Sequence, residues 1–376
     1  MKIAMLSTFP PTQCGIATFT QSLASAMAQG NNVNIIRLNP DEFSKFNSSV
    51  IHEHASLDDL ILTGHVMNAH DVAIIQHEFG IYGGRDGEDL LQILGSLRIP
   101  VVTVLHTVIN APTLNQRRVM QGIINSSNLL VTMTEIARRN LIRNYDAKPE
   151  RVRVIPHGSP DLRTPLSLNA GHRNPRFLTW GLISEGKGIE WGIDALALLK
   201  DMNPIPEYVV AGRTHPKVLE RDGEAYRNSL IRRAANLGVL EQLTFVDSYL
   251  TPEQLAALVS TSDAILLPYD SREQVTSGVL VEALVAGGPV IATRFPHAVE
   301  ALTGGAGLLV NHEDPEDIAA ALRMAMTNSG VSDSLKMGAS EISQSYLWDS
   351  VGDAYSELVE ELVKPKMLLQ SVLASA

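Results

Sequence analysis

The sequence predicts an α/β protein of two doubly wound domains. Short apolar runs rich in β-branched residues alternate with segments of helical period along most of the 376 residues. Strands that are apolar on both faces are typical of parallel sheets covered by helices. The alternation lapses at residues 157–175, which are rich in Pro, Gly, Ser and Asn and indicate a linker. The length of the chain also favours two domains over one.

Each predicted domain contributes six strands. Those of the first are residues 2–8, 32–38, 71–76, 101–106, 128–133 and 151–156. Those of the second are residues 176–181, 207–212, 242–247, 263–269, 288–293 and 305–310. The segments between these strands have the periodicity of helices. For example, Phe19, Leu23 and Met27 share one face of a segment that ends at Gly30. Because such sheets bind ligands at the carboxyl ends of their strands, we expect the site in the loops that follow strands, beside a cleft between the domains.

The composition excludes several classes of protein. A hydrophobic content of 45% with 19% charged residues is typical of a globular protein, and no apolar run approaches the roughly 18 residues of a membrane span. The start "MKIAMLSTFPP" indicates a first strand rather than a secretory signal. The single cysteine, Cys14, excludes an intramolecular disulfide and suits a reducing cytoplasm. A net charge of −11 argues against an extended nucleic-acid surface.

The loop "GLISEGKG", residues 181–188, is the first candidate for an anion site. It follows a strand and opens a helix, but Gly188 stands where a P-loop needs the Ser or Thr that holds magnesium, so a nucleoside triphosphatase is not predicted. Lys187 between two glycines suits phosphate contact through its charge and the neighbouring N–H groups. The alternative is a glycine-rich turn with a solvated lysine.

A second candidate is the start of the helix "GVLVEALVAG". Its free N–H groups, from Thr276 to Val279, and its dipole favour a negative ligand. Glu282 lies one turn further on, where it would accept two sugar hydroxyls or, alternatively, stabilise the helix dipole. A third candidate is the loop 10–20 after the first strand, in which Gly15 allows close approach of the backbone to a ligand; a simple connection is the alternative.

The histidines do not predict a metal site. The groups "HEH" (52–54) and "QHE" (76–78) match no closed zinc pattern, so we expect solvated or locally hydrogen-bonded histidines there. His106 differs because it closes the buried strand "VVTVLH" at the expected cleft. No G-x-S-x-G elbow is found, and no G-x-G-x-x-G follows the first strand, which argues against serine hydrolases and simple dinucleotide enzymes.

With these motifs in hand, the chain resembles the family-4 retaining glycosyltransferases of GT-B fold over nearly its whole length. The motifs that carry the resemblance are the glycine loop at Gly15, "VVTVLHT", "VIPHG", "GLISEGKGIE", "EQVTSGVLVEALVAGGPVIAT" and "YLWDSVGDAYSELVEEL". The resemblance implies two Rossmann-like domains facing across a cleft. Residues 1–165 would bind the acceptor and 166–345 the donor, and the helix in 346–376 would pack back on the N-terminal domain.

The implied activity is metal-independent transfer of a hexose from a nucleotide-diphosphate sugar to an acceptor hydroxyl, with retention of anomeric configuration and no cofactor. The leading candidates are transfer of mannose from GDP-mannose and transfer of glucose from UDP-glucose or ADP-glucose. The acceptor would be a carbohydrate, a small glycoside or a lipid-linked sugar, and the location cytoplasmic. Membrane association, oligomeric state and the role of the tail 364–376 stay open. The alternatives are a non-hydrolysing sugar-nucleotide epimerase of GT-B fold and a non-catalytic nucleotide-sugar-binding protein.

The resemblance also implies roles for individual residues. The catalytic residues would be His106, Lys187 and Gln274. Donor contacts would come from Gly15, Lys187, Arg213, Thr276, Ser277, Gly278, Val279 and Glu282. Acceptor contacts would come from Gly15, His77 and Glu78.

Two positions depart from the family pattern. Leu182 stands where an arginine is usual, and Arg213, at the same sheet edge, is the hypothesised substitute. Gln274 stands where the family has the first of two acids, since Glu273 is one residue out of register. An amide can still hydrogen-bond sugar hydroxyls, but it lacks the charge that would stabilise a cationic sugar.

Overall fold

A computed structural model describes residues 1–38, 49–163 and 174–374, with side chains described as far as Lys364. The chain forms two compact units: Met1–Gly158 together with Trp348–Ala376, and Ser159–Leu347. Each unit is a parallel sheet with helices between its strands, which confirms the predicted fold class of two doubly wound α/β domains. The predicted domain boundary at residues 165 and 166, and most of the predicted linker, lie outside the described residues.

The first unit contains a seven-stranded sheet. Its strands are β1 (Lys2–Ser7), β2 (Asn32–Leu38), β3 (Val50–His54), β4 (Val72–His77), β5 (Val101–Leu105), β6 (Leu129–Thr132) and β7 (Val152–Val154), in the order β3-β2-β1-β4-β5-β6-β7. Its helices are α1 (Gly15–Met27), α2 (Leu60–Asn68), α3 (Leu90–Ser96), α4 (Leu114–Ser126), α5 (Glu135–Tyr145) and α14 (Trp348–Ala374). The six predicted strands are confirmed. The sequence did not predict β3, because its "VIHEH" lacks the continuous apolar character of the inner strands and the strand lies at the edge of the sheet.

Helix α14 completes the core of the first unit, as predicted. A Cβ added to Gly352 would lie 2.6 Å from the Cβ of Ala26, so α14 approaches α1 closely. Five apolar side chains of α14 are buried against β1, α1 and their neighbours: Val351, Tyr355, Leu358, Val359 and Val363. Burying each such side chain stabilises the unit by roughly 1.5–3 kcal/mol, so this helix belongs energetically to the first sheet.

The second unit contains a six-stranded sheet. Its strands are β8 (Arg176–Trp180), β9 (Glu207–Ala211), β10 (Leu243–Val246), β11 (Ala264–Leu267), β12 (Val290–Thr293) and β13 (Gly307–Val310). Its helices are α6 (Ile189–Leu198), α7 (Pro216–Asp222), α8 (Ala225–Leu237), α9 (Pro252–Ser260), α10 (Gly278–Ala286), α11 (Pro296–Leu302), α12 (Pro315–Thr327) and α13 (Ser329–Ser343). All six predicted strands are present.

The strand order of the second sheet, β10-β9-β8-β11-β12-β13, places its topological switch point between β8 and β11. The chain leaves β8 toward one edge of the sheet and β11 toward the other. Loops after two such strands diverge and leave a crevice at their carboxyl ends, which is where doubly wound sheets bind ligands. The two anion-binding candidates of the sequence, residues 181–188 and 274–282, follow these two strands.

No helix within the described residues has both the length and the apolar character needed to cross a membrane.

Candidate functional site

The lysine loop, residues 181–188, connects β8 to α6. Gly181, Gly186 and Gly188 have φ values of +115°, +83° and +63°, a backbone region that favours glycine. A Cβ on Gly188 would lie 1.8 Å from the carbonyl oxygen of Pro268, so the loop packs directly on the segment that follows β11. All three glycines therefore suit the conformation of the loop, and Gly188 is also needed for its packing.

Lys187 is held over an aromatic ring. Its side chain is half-buried, and its Nζ lies 4.3 Å from the centroid of the Tyr269 ring, within cation–π range. Tyr269 is itself buried and stacks on Phe295 with ring centroids 5.2 Å apart. The ammonium group of Lys187 therefore lies against the face of an aromatic ring in this structure.

Asp270 fastens the lysine loop to the chain after β11. Its backbone N–H donates to the carbonyl oxygen of Gly186 at 3.0 Å, and its Oδ1 accepts from the indole Nε1 of Trp191 at 2.7 Å. Burial raises the pKa of Asp270 above its usual value, against the effect of the indole hydrogen bond. The position of Lys187 is therefore set from two sides.

Arg213 lies on a loop that is hydrogen-bonded to the lysine loop. The N–H of Ile183 donates to the Arg213 carbonyl oxygen at 2.8 Å, and the N–H of His215 donates to the Ile183 carbonyl oxygen at 2.9 Å. The Arg213 side chain is exposed, and it forms no ion pair with a described residue. Its backbone is thus beside the lysine loop, and its guanidinium is available to a ligand.

The start of α10 offers two free N–H donors. Ser277 caps the helix, with Oγ accepting from the N–H of Leu280 at 3.2 Å. The N–H of Ser277 itself donates to Nδ1 of His297 at 2.8 Å. The N–H groups of Gly278 and Val279 form no hydrogen bond with a described residue. Of the backbone donors predicted at 277–279, one is therefore already used and two remain for an anion at the positive end of the helix dipole.

Glu282 is anchored by Trp180. Its Oε2 accepts from the indole Nε1 of Trp180, the last residue of β8, at 2.9 Å. Burial raises the pKa of Glu282, although this hydrogen bond acts in the opposite direction. A Cβ on Gly181, the next residue after Trp180, would lie 3.5 Å from Val279 Cγ2. The carboxyl end of β8 and the start of α10 therefore adjoin, and one oxygen of Glu282 is already engaged.

Gln274 contacts its own loop. Its side-chain Nε2 donates to the backbone carbonyl oxygen of Thr276 at 3.2 Å. Its backbone carbonyl oxygen accepts from the backbone N–H of His297 at 3.2 Å. The structure thus places the predicted donor-binding residues of the second unit, from Lys187 and Arg213 to residues 274–282, around the switch point of one sheet.

In the first unit, His106 is held as a neutral imidazole at the carboxyl end of β5. Its Nε2 lies 2.8 Å from Oε1 of Gln76, and its backbone N–H donates to the His77 carbonyl oxygen at 3.0 Å. Burial, reinforced by His157 and His77, lowers the pKa of His106 to about 3. The ring packs edge-on against Phe19 of α1 at a centroid distance of 4.8 Å. A neutral, fixed imidazole can donate or accept a hydrogen bond to a sugar hydroxyl without carrying charge.

The other predicted residues of the first unit differ in exposure. A Cβ added to Gly15 would meet no atom within 4 Å, so the start of α1 presents an open backbone surface. Glu78 is half-buried, and its Oε2 accepts from the N–H of Gly80 at 2.6 Å. His77 is fully buried, and neither ring nitrogen is hydrogen-bonded to a described residue. The expectation of a solvated or locally hydrogen-bonded histidine was wrong for His77, because its ring packs inside the unit against Phe79.

The same expectation is confirmed for the "HEH" group. Nε2 of His52 and Nδ1 of His54 lie 2.9 and 2.8 Å from the same hydroxyl oxygen, Thr63 Oγ1. Across the described part of the chain, no three or more His, Cys, Asp or Glu side chains are grouped so that they could hold a metal ion.

Sequence reasoning missed three residues that position the candidate site: Trp180, Tyr269 and His297. Each follows or ends a parallel strand of the second unit or lies at the start of the next helix, which is where functional side chains of such sheets gather. That placement was the available signal, but their partners lie far away in the sequence.

Acid is expected to destabilise the first unit through three buried or half-buried histidines. Burial lowers the pKa of His77 and of His106 to about 3 and that of His157 to about 4. A histidine with a lowered folded pKa contributes stability above its unfolded pKa of about 6.5, and this stability is lost as the pH falls toward the folded value. Each such group changes the free energy of unfolding by up to about 1.4 kcal/mol per pH unit within that window.

The measurement is the thermal midpoint of wild type and His77→Phe between about pH 7 and about pH 5. The variant should lose less of its stability over this range, while His65→Gln, at an exposed position, should follow wild type. Equal pH slopes for His77→Phe and wild type would contradict the assignment.

Comparison with known proteins gives two family matches. The family described as Glycosyltransferase Family 4 matches residues 15–160, and the family described as Glycosyl transferases group 1 matches residues 166–341. A D-inositol 3-phosphate glycosyltransferase of Corynebacterium efficiens is 28% identical over 289 residues, which cover 70% of this chain and 66% of that protein. Its counterpart in Corynebacterium jeikeium is 29% identical over 257 residues, covering 64% of this chain and 59% of that protein. The matched segments thus span less than two thirds of these relatives.

Solved structures show the same fold. Anabaena Alr3699/HepE in complex with UDP superposes with a TM-score of 0.77 at 16% identity, covering 96% of this chain and 100% of that chain. Sucrose-phosphate synthase from Thermosynechococcus elongatus superposes with a TM-score of 0.75 at 17% identity, covering 97% of this chain and 100% of that chain. At these identities the likeness establishes the architecture alone.

Proposed function

The chain belongs to the family-4 glycosyltransferases of GT-B fold, and from this premise we propose that it transfers a hexose from a nucleotide-diphosphate sugar to an acceptor hydroxyl with retention of anomeric configuration. The observation that carries the proposal is the half-buried cation of Lys187 at the same switch point as the free N–H groups of Gly278 and Val279. This combination of donors suits a diphosphate.

The proposed chemistry needs a stabilised leaving group. Breaking the anomeric bond places negative charge on the departing diphosphate and positive charge on the sugar ring. Lys187 and the N–H groups at the start of α10 stabilise the diphosphate, and preorganised donors of this kind are the largest catalytic term in many enzymes. The acceptor oxygen forms the new bond on the same face, and its proton passes to the leaving phosphate oxygen. Neither a side-chain nucleophile nor a metal ion is required.

The remaining residues receive roles in the same proposal. The free oxygen of Glu282 accepts a hydroxyl of the donor's ribose, and Arg213 supplies the second cation in place of the arginine absent at Leu182. In the first unit, the neutral imidazole of His106 hydrogen-bonds the donor sugar, and Gly15 permits approach of the leaving diphosphate. His77 and Glu78 belong to the proposed acceptor side, where buried His77 acts through packing rather than direct contact.

The names of the relatives guide the choice of substrates. Anabaena Alr3699/HepE is described in complex with UDP, with UDP and glucose, and with UDP-glucose, and the corynebacterial relatives are named D-inositol 3-phosphate glycosyltransferases. These names support UDP-glucose as the first donor to test, before GDP-mannose and ADP-glucose, and a phosphorylated cyclitol as the first acceptor.

The test is a thermal-shift panel of these nucleotide sugars, followed by measurement of nucleoside diphosphate release with and without acceptors. A bound donor stabilises the native state by mass action, so the productive donor should raise the thermal midpoint. We expect release of nucleoside diphosphate that depends on the acceptor. NMR of the product should show the same anomeric configuration as in the donor sugar, and the rate should be unchanged in EDTA. An epimer formed from donor alone would identify an epimerase, and binding without release across all acceptors would identify a non-catalytic binding protein.

Arg213→Ala is expected to weaken binding of the nucleotide sugar by about tenfold, because it removes a cation that no described residue neutralises. The fold should be unaffected, since the side chain is exposed. Isothermal titration of UDP-glucose against wild type and variant measures the effect. Exposed Arg232 of α8 provides the control variant Arg232→Ala. An unchanged affinity in Arg213→Ala would exclude the substitute-cation role.

A further inference from the structure

The segment 274–277, which leads into α10, is held by hydrogen bonds from one side chain within it and one residue outside it. Within it, Nε2 of Gln274 donates to the Thr276 carbonyl oxygen at 3.2 Å. His297, at the start of α11, forms two hydrogen bonds with the segment. Its backbone N–H donates to the backbone carbonyl oxygen of Gln274 at 3.2 Å, and its Nδ1 accepts from the Ser277 N–H at 2.8 Å. These three bonds link both ends of the segment to one another and to the next helix.

We propose that Gln274 and His297 are positioning residues that fix the segment 274–277, and thereby aim the free N–H groups of Gly278 and Val279 at the donor diphosphate. Gln274 then acts as a hydrogen-bond donor to backbone rather than as a sugar contact in place of an acid. This inference rests on the proposed function and explains why an amide stands at this position.

The chemistry of the side chain distinguishes the two roles. An ionised carboxylate only accepts hydrogen bonds, so a glutamate at position 274 cannot donate to the Thr276 carbonyl oxygen. It would instead place a negative oxygen beside that carbonyl oxygen, and the segment would have to move. If the side chain at position 274 contacted the sugar instead, Gln274→Glu, which introduces the residue usual in the family, would maintain or raise activity.

The role of His297 is equally specific. Nδ1 accepts a hydrogen bond, so the ring proton of the neutral form resides on Nε2. Ser277 is buried, with 4% of its surface exposed, so loss of this acceptor would leave its N–H without a partner inside the protein. The bond also prevents Ser277 from presenting its own N–H to the ligand, which leaves two defined donors at the start of α10.

The test compares Gln274→Glu, Gln274→Met, His297→Leu and His297→Asn. The asparagine Oδ1 stands close to the place of Nδ1, so His297→Asn should keep the hydrogen bond that His297→Leu removes. Exposed Glu273, the neighbour of Gln274, provides the control Glu273→Gln. The measured quantities are the dissociation constant for UDP by isothermal titration, and kcat and KM for UDP-glucose. Hydrogen exchange of the peptide spanning residues 274–281 is measured without ligand.

We expect Gln274→Glu and His297→Leu to weaken UDP binding and raise KM by about tenfold or more, while His297→Asn and Glu273→Gln stay within about threefold of wild type. Exchange of the 274–281 peptide should accelerate in Gln274→Glu and His297→Leu, and it should stay at the wild-type rate in His297→Asn and Glu273→Gln. Gln274→Met should resemble Gln274→Glu in exchange, because both lack the donor.

Three results would overturn the proposal. They are tighter binding or faster turnover in Gln274→Glu, wild-type affinity in His297→Leu, and exchange that is the same in all variants. If wild type itself binds no nucleotide or nucleotide sugar, the proposed function fails, whereas the exchange measurement still decides whether Gln274 and His297 hold the segment. If His297→Leu does not fold, the two Gln274 variants and His297→Asn carry the test.

Discussion

Replacing Lys187 with alanine is expected to lower glycosyl transfer by about 10²–10³-fold, the size of effect seen when one preorganised donor to a developing negative charge is removed. The Nζ of Lys187 lies over the Tyr269 ring, in the loop that leaves β8 at the switch point of the second sheet, where the diphosphate charge would develop. The variant loses that charge but no hydrogen bond of the fold, because the contact of Nζ is with the ring face. Its far-UV circular dichroism and thermal midpoint should stay close to those of wild type.

The assay is kcat/KM for the productive donor under conditions in which wild type turns over. Lys217 of α7 is exposed and, like Lys187, lies close enough to His215 to lower its pKa. The control variant is therefore Lys217→Ala, whose activity should remain within about twofold of wild type. Lys187→Arg tests geometry, because a planar guanidinium cannot reproduce the position of an ammonium over the ring. Full activity in a folded Lys187→Ala protein would refute the assignment of the diphosphate site.

Gly188→Ala is expected to destabilise the second unit by about 2–5 kcal/mol. A left-handed backbone conformation costs a non-glycine residue roughly 1–2 kcal/mol, and overpacking adds roughly 1–3 kcal/mol. Both terms apply, since Gly188 has a φ of +63° and its added Cβ would lie 1.8 Å from the Pro268 carbonyl oxygen. The displaced loop carries Lys187, so activity should fall even in the fraction that remains folded. Urea unfolding and the thermal midpoint measure the first effect, and kcat/KM the second.

Gly186→Ala is the matched control. Gly186 has a φ of +83°, but its added Cβ would meet no atom within 4 Å. It should therefore show only the backbone cost of about 1–2 kcal/mol. Equal losses of stability in the two variants would mean that the packing of Gly188 on Pro268 contributes nothing.

The parts of the fold that could be predicted from the sequence are those that a short segment of residues encodes. Inner strands such as β4 and β12 are buried on both faces, so their apolar runs stand out in any short window of sequence. The edge strand β3 escaped prediction because its consecutive polar residues, from His52 to His54, interrupt the apolar run, and most of the strand is only partly buried. The lysine loop and the start of α10 were found for the same local reason, since glycines beside a strand end and a helix start mark anion sites without reference to the rest of the chain.

The roles of single side chains within the site required the tertiary structure. The sequence predicts a sugar contact for the amide of Gln274, and the structure adds a hydrogen bond from its Nε2 to the Thr276 carbonyl oxygen two residues away. His77 was expected to be solvated or locally hydrogen-bonded, yet it is buried without a hydrogen-bond partner among the described residues. Neither outcome follows from residue type, because the direction of a side chain depends on the packing of the loop that carries it.

By itself, the sequence determined the class of fold, the order of the inner strands along the chain, the family and the two loops that form the candidate donor site, since each is written in a short stretch of residues. Only the tertiary structure decided which groups in those loops are free to bind a ligand. Glu282 is anchored by Trp180, which lies 102 positions away, and Lys187 is supported by Tyr269. These pairs meet because the sheet places β8 beside β11, and that neighbourhood is a property of the strand order in space rather than of any segment of sequence.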